Sequence, residues 1–234
     1  MEIGENVRRI KENIARAAME SGRRGEDICL VAATKMNSAD AVRQAICAGV
    51  DACGENRVQE LTEKDAQGAY EGASLHFIGH LQKNKVKYVV GAAQLIHSVD
   101  SLALMEAIDR EAAKKGVIQD VLLEVNIGAE ESKSGFAPDE IGAAIDKAAG
   151  FPHIFVRGLM AIPPKCGAGE ENIPFFLKMK QLFVDNRVKK YDNVRMDFMS
   201  MGMSGDYEAA IRCGANMVRI GSAIFGERIY PERK

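Results

Sequence analysis

Eight short apolar runs alternate with helical patterns along this chain, and few folds accept that order. The runs lie at 28–34, 51–54, 75–79, 95–99, 121–127, 156–162, 197–201 and 217–221. Helical spacing fills the gaps at 38–48, 56–67, 81–90, 101–115, 138–149, 173–190 and 204–213. Strands joined through helices pair in parallel, since a parallel neighbour needs a long crossover. Eight such units in 234 residues predict a closed (β/α)8 TIM barrel, a fold that takes roughly 250 residues. A doubly wound open sheet would carry a GxGxxG turn after its first strand. Here Lys35-Met36-Asn37-Ser38 stands in that place.

An extra N-terminal helix precedes the barrel. Ile3, Val7, Ile10, Ile14 and Ala17 recur at spacings of three and four, and Gly22 and Gly25 end the pattern. It can pack on the barrel or on a second chain, and a monomer is expected. Glycines at 49, 68, 91, 116, 150 and 214 mark helix exits, where a left-handed cap suits glycine. Ser38 and Ser101 stand at N-cap positions. No shift in composition divides the chain, so residues 1–234 read as a single domain. The segment 163–171, with two prolines and two glycines, follows strand 6 on the expected active-site face. It reads either as a mobile loop or as a plain solvated connection.

Charge narrows the partners. With 31 basic and 33 acidic residues, nothing points to nucleic acid or an anionic membrane. The five cysteines form no CxxC pair or Cys/His cluster, which suits reduced thiols in a cytoplasmic protein. Cys29 and Cys53 sit in apolar runs and read as core filler. The N-terminus is charged from Glu2 onward, so no signal peptide is expected. No apolar run approaches the roughly 20 residues that span a bilayer.

In a barrel the strand C-terminal ends meet at one mouth. Here they present Lys35, Glu55-Asn56, Gly79-His80, Ser98, Asn126, Ala161-Ile162, Ser200-Met201-Gly202 and Arg219-Ile220-Gly221-Ser222. No carboxylate pair suggests glycoside chemistry, and no HExxH or other metal spacing appears. Lys35 ends the apolar run from Ile28. Desolvation there disfavours the ammonium, and a neutral amine can form a Schiff base with an aldehyde. Met201-Gly202-Met203-Ser204-Gly205 and Gly221-Ser222-Ala223 follow the last two strands, where barrels often hold phosphate on backbone N–H groups. Arg219 lies within an apolar strand run. It reads as an ion pair with Glu55 or Glu124, or as a contact to a ring nitrogen or anion. Lysine, cradle and arginine together describe a site for pyridoxal 5′-phosphate. His80 either reaches the site or caps the next helix. His76, His97 and Cys166 read as structural, Met196, Met199, Met201 and Met203 as core packing, and Tyr230 as part of a charged tail.

The chain resembles the YggS/PROSC family, the pyridoxal phosphate homeostasis proteins. The resemblance rests on Leu30–Lys35, Gly54–Glu60, His76–Lys85, Val125-Asn126, Lys133–Phe136, Arg157–Ile162, Ser200–Asp206 and Val218–Gly226, in order along nearly the whole chain. It implies an alanine-racemase-type barrel without that enzyme's second domain, and a Schiff base on Lys35. It places Asn56 beside the ring and Arg219 at the pyridine nitrogen. Ser204, Gly221 and Ser222 hold the phosphate, with Ser200 and Met201 at the strand-7 exit counted among the cofactor-binding residues. Ser222 stands where many relatives carry Thr, and a hydroxyl is kept. Met36-Asn37 departs from the common Thr-Lys-Pro continuation.

The implied role is cofactor buffering and delivery to pyridoxal-dependent apoenzymes, without robust catalysis. An arginine at the ring nitrogen disfavours ring protonation and weakens the electron sink. Racemisation also needs a second acid/base on the opposite face, and no strand-end Tyr or Cys offers one. The alternatives are an amino-acid racemase or decarboxylase, and a barrel enzyme acting on a phosphorylated metabolite.

Overall fold

The computed structural model describes residues 2–130, 133–164 and 169–226. Cys166, the centre of the 163–171 segment and Tyr230 lie outside them. The eight strands are β1 (Cys29–Ala33), β2 (Ala52–Glu55), β3 (Ser74–Phe77), β4 (Leu95–Val99), β5 (Gln119–Val125), β6 (Ile154–Ala161), β7 (Val194–Ser200) and β8 (Met217–Ile220). They pair in parallel in sequence order and close into a barrel through β1 and β8. Across that seam Val31 stands opposite Arg219 and Ala32 opposite Ile220.

Helices α1 (Ile3–Glu20), α2 (Ala39–Cys47), α3 (Val58–Asp65), α4 (Val86–Val89), α5 (Leu102–Lys115), α6 (Ile141–Ala148), α7 (Ile173–Asn186), α8 (Tyr207–Arg212) and α9 (Ser222–Phe225) surround it. The Ser38 hydroxyl accepts from Ala41 N–H, and the Ser101 hydroxyl from Leu104 N–H, so both expected N-caps form. Gly116 caps α5 in the left-handed conformation at φ 66°. Gly150 does not share the positive φ of the other expected exits.

Helix lengths differ most from expectation at 81–90. Only a 3-10 turn (Lys83–Lys85) and four-residue α4 form there. Gln82 is extended, and Val86, Val89 and Val90 are β-branched and disfavour a longer helix. α8 starts at Tyr207 rather than 204, because the Asp206 carboxylate accepts from Met203 N–H at 2.6 Å and folds 203–206 into a turn. α3 starts at Val58, since Arg57 is extended.

α1 packs on the barrel over α2, α8 and α9. It buries Val7, Ile10 and Ile14, at about 1.5–3 kcal/mol per side chain. Asn6 Nδ2 donates to Ile224 O at 2.9 Å and Asn13 Nδ2 to the Tyr207 hydroxyl at 2.9 Å, which ties this helix to the C-terminal elements.

The core is in two layers. A larger one between sheet and helices contains Leu30, Phe77, Ile96, Leu123 and Phe176. A smaller one inside the barrel contains Val31, Ala33, Ala52, Ile78, Leu95, Leu122, Met160 and Met217. Successive strand side chains point to opposite faces, so membership of these layers fixes the parity of every strand.

Candidate functional site

On β1, Val31 and Ala33 face inward, and Lys35 follows two residues on, in the turn at the strand's exit. On β2, Ala52 faces inward, and Asn56 shares that parity at the lip. Asn56 is half-buried, and its Oδ1 has no partner among the described residues. Its backbone is pinned from β3: a Cβ on Gly79 would lie 2.1 Å from Asn56 O. Only glycine lets the two strand exits approach this closely.

On β8, Met217 faces inward, and so does Arg219. Arg219 is 4% exposed. Its Nη1 donates to Ser200 Oγ at 2.5 Å and its Nη2 to Ala161 O at 3.0 Å. No carboxylate among the described residues lies within ion-pairing distance, so of the two readings of Arg219 the ion pair with Glu55 or Glu124 does not form. Burial pulls the guanidinium down to about 10, while Glu124 and Asp206 favour its charge from further away.

Ser200 joins Arg219 to a pair of histidines. His97 Nδ1 lies 3.1 Å from Ser200 Oγ and His97 Nε2 lies 3.0 Å from His76 Nδ1. Desolvation lowers His76 to about 4 and His97 well below its usual range, so both rings are neutral near pH 7. This chain of neutral groups crosses the lumen under the mouth. On β5, beside the strand of His97, burial and then Asp100 raise the Glu124 carboxyl to about 7.

The two glycine-bearing segments after β7 and β8 meet. Ser204 Oγ accepts from Gly221 N–H at 3.2 Å and from Ala223 N–H at 3.3 Å. Two backbone donors thus converge on one oxygen, as an anion's oxygen requires. Gly202 adopts φ 93°, and a Cβ there would sit 2.6 Å from the Ala210 Cβ. Ser222 is exposed beside Gly221.

Of the expected site residues, the structure joins Arg219 to Ser200 and Ser204 to Gly221, and sets Lys35 and Asn56 on neighbouring strand exits. It does not bring Met201 to the mouth. That side chain is fully buried in the outer layer, and its N–H donates to Met217 O at 3.1 Å. His80 is exposed and lies 3.2 Å from Asp100 Oδ2 and 3.4 Å from Ser134 Oγ, so it bridges strand exits rather than capping a helix.

Behind β1 and β2 a second polar cluster is buried, which sequence reading missed. Lys64 on α3 donates to Glu55 Oε1 at 2.6 Å, to Thr34 O at 2.8 Å and to Glu60 Oε2 at 3.2 Å. Glu55 Oε1 also accepts from the Thr34 and Tyr70 hydroxyls, at 2.7 and 3.1 Å. Glu60 Oε2 accepts from Met36 N–H at 2.6 Å. The available signal was parity. Glu55 and Thr34 alternate with inward residues, so they point outward into an apolar layer and need partners there.

The donor set suits pyridoxal 5′-phosphate: a lysine at the lip, a buried cation without a carboxylate, an unpaired Asn56 Oδ1, and converging amides. Among the described residues there is no cluster of three or more His, Cys, Asp or Glu side chains that could hold a metal ion, and no helix long and apolar enough to cross a membrane.

Residues 6–229 match the family model described as alanine racemase, N-terminal domain. A pyridoxal phosphate homeostasis protein of Aquifex aeolicus is 40% identical over 226 residues, covering 97% of this chain and 98% of that one. A crystal structure of an unknown protein from Bifidobacterium adolescentis superposes with a TM-score of 0.90 at 35% identity, covering 95% of this chain and 94% of that one. The structure of PipY of Synechococcus elongatus with pyridoxal phosphate bound matches with a TM-score of 0.78 at 31% identity, covering 91% of this chain and all of that one (100%).

Proposed function

The chain belongs to the alanine racemase N-terminal domain family and, within it, to the pyridoxal phosphate homeostasis proteins, and from that premise we propose that it carries pyridoxal 5′-phosphate on Lys35 and acts to buffer and deliver it. When bound, the cofactor supplies an aldehyde for an amine, a phosphate for backbone donors and a pyridine nitrogen for a polar partner.

The observation that carries the reading is Arg219. It is a buried cation held by a hydroxyl and a carbonyl instead of a carboxylate. A charge left so favours an electron-rich partner entering the lumen. Facing a pyridine nitrogen it donates and does not yield its proton, because even lowered to about 10 it stays charged near pH 7. Ser200 and the neutral His97 and His76 keep its direction fixed. Gly221, Ala223 and the Ser204 hydroxyl are the residues that would hold the phosphate, and Ser222 stands beside them. Asn56 offers its free Oδ1 at the ring edge. Lys35 supplies the amine, and its Schiff base would make release reversible.

The buried thiols and phenols favour a carrier over an enzyme. Burial pushes the Cys29 and Cys53 thiols up to about 12 and raises the Tyr70 and Tyr207 hydroxyls. None of these can exchange a proton readily near pH 7. The reading includes a single-barrel protein in the cytoplasm, monomeric, that meets apoenzymes transiently.

The test is spectroscopic. Purified protein, given pyridoxal 5′-phosphate, is reduced with borohydride and its peptides are mapped by mass. A stable adduct on the Lys35 peptide, lost in Lys35→Ala, is expected. Retention of the cofactor by Lys35→Ala with an unchanged spectrum would refute the link. For delivery, an apoenzyme should regain activity faster from the loaded protein than from the same concentration of free cofactor.

Glu124 favours a second reading, an amino-acid racemase or decarboxylase. An inward carboxyl at about 7 is suited to general acid–base work. Exchange of amino-acid α-protons in deuterated water at enzyme-like rates would promote it, and exchange no faster than with free cofactor would remove it.

A further inference from the structure

We infer that Glu60, Lys64 and Glu55 form a positioning clamp that fixes the backbone on both sides of Lys35. The inference rests on the reading of Lys35 as the amine that carries the cofactor. Lysine at a strand exit has four rotatable side-chain bonds, so a defined nitrogen position requires at least a defined Cα. Two peptide units flank that Cα, one on each side.

Each unit is held by a charged side chain of the same helix. The carbonyl before Lys35, Thr34 O, accepts from Lys64 Nζ at 2.8 Å. The N–H after it, on Met36, donates to Glu60 Oε2 at 2.6 Å. Lys64 and Glu60 are one turn apart on α3 and lie 3.2 Å from each other. The clamp therefore closes on itself, and Glu55 anchors it from β2 at 2.6 Å. Hydrogen bonds to charged groups are the strong ones.

The held backbone is strained. Met36 is one of two non-glycine residues with positive φ among the described residues, at 62°. A side chain there costs roughly 1–2 kcal/mol, and without a restraint the turn would relax. The Glu60 bond to the Met36 N–H is the restraint. The Lys64 side chain is 8% exposed and that of Glu55 is fully buried, so water competes little for the contact between them, while the Glu60 bond to Met36 N–H lies nearer the surface. Glu55 and Thr34 face the helices, so the cluster lies outside the barrel wall and away from the lumen.

The test compares wild type with Glu60→Ala and Glu60→Gln. Glu60 sits on the helix surface with 19% of its side chain exposed, and alanine favours helix, so the fold should survive. Amide exchange is read by mass spectrometry on the cofactor-free protein. The peptide holding the Met36 amide should exchange about ten-fold faster or more in Glu60→Ala, as loss of a charged hydrogen bond implies. Affinity for added pyridoxal 5′-phosphate should fall by about ten-fold with it. Glu60→Gln keeps an amide oxygen for the Met36 N–H and should restore most of both. A purely structural role would move the unfolding midpoint and leave affinity equal at temperatures well below it.

Wild-type exchange and affinity in Glu60→Ala would overturn the clamp. So would a loosened Met36 amide with unchanged affinity, since nothing would then be positioned. Wild type that takes up no cofactor would sink the reading of Lys35 itself, while the exchange comparison would still decide the clamp.

Discussion

The two sides of the barrel mouth solve opposite electrostatic problems. On the β1–β2 side, charge is paired and placed behind the wall, where Lys64 meets Glu55 and Glu60. On the β7–β8 side, Arg219 is buried in the lumen among neutral groups, Ser200, His97 and a backbone carbonyl. A paired buried charge fixes geometry and offers nothing to a ligand. An unpaired one is costly on its own and rewards whatever completes it. The first arrangement belongs where the chain's own backbone must stay still, the second where something from outside is to be met.

The largest break in this contrast should come from Lys64→Met. It leaves the Glu55 carboxylate fully buried with hydroxyl donors alone. Removing one partner of a buried pair costs about 3–5 kcal/mol, readable by denaturant unfolding. Adding Glu55→Gln should return a good part of it. A single variant as stable as wild type would mean that the pair is not ionic.

The next effect is titratable. A Glu124 carboxyl at about 7, against its usual 4.5, binds its proton more tightly in the folded state. Between those values the folded chain carries more protons than the unfolded one, so this group's contribution to stability falls as pH rises from about 4.5 to 7. The loss is on the order of 3 kcal/mol. Glu124→Gln should therefore gain stability over wild type at pH 8 and show little difference at pH 4. Equal differences at both values would refute it. His76, lowered to about 4, acts in the opposite sense and destabilises the fold as pH falls below 6.5.

Arg219→Met sharpens the contrast from the other side. It removes a charge that the protein does not pair, so stability should change by no more than about 1–2 kcal/mol, mostly from the unmet Ser200 and Ala161 oxygens. Cofactor affinity should fall far more than stability does. A drop as large as that of Lys64→Met in unfolding would place Arg219 with the structural charges. The smallest expected effect is Ser204→Ala, about 1 kcal/mol of stability with weakened inorganic phosphate competition at the Gly221 and Ala223 amides.

The barrel itself was legible, because βα alternation is written in short-range patterns and each of the eight strands fell near an expected run. The placement of Lys35, Asn56, Ser204, Arg219 and Gly221 at or just beyond strand ends was legible with it, because each strand's end was. Met201 carries two readings, core packing from its methionine stripe and cofactor binding from its motif, and its side chain follows the first: Ser200 and Met201 are adjacent, yet one points into the lumen and the other out. His76 and His97 read as structural singly. The contacts of His97 with Ser200 and with His76 depend on register between strands apart in sequence, which no local pattern carries. The Lys64 cluster was hidden for a similar reason, since a lysine inside a charged helical stretch looks like any solvated lysine until α3 is laid on β2.

The seam between β1 and β8 has a consequence in time. Val31 and Arg219 stand opposite each other, although one lies near the start of the chain and the other near its end. α1 is likewise tied to α9 through Asn6 and Ile224. Contacts between such distant segments form late and slowly, and a chain made from its N-terminus cannot form them until the last strand exists. Lys35 is synthesised early, but the strand before it meets the one that carries Arg219 only when the two ends come together. If Lys35 carries the cofactor as proposed, the nascent chain has the amine without the strands that surround it, and cofactor capture is a property of the finished ring alone.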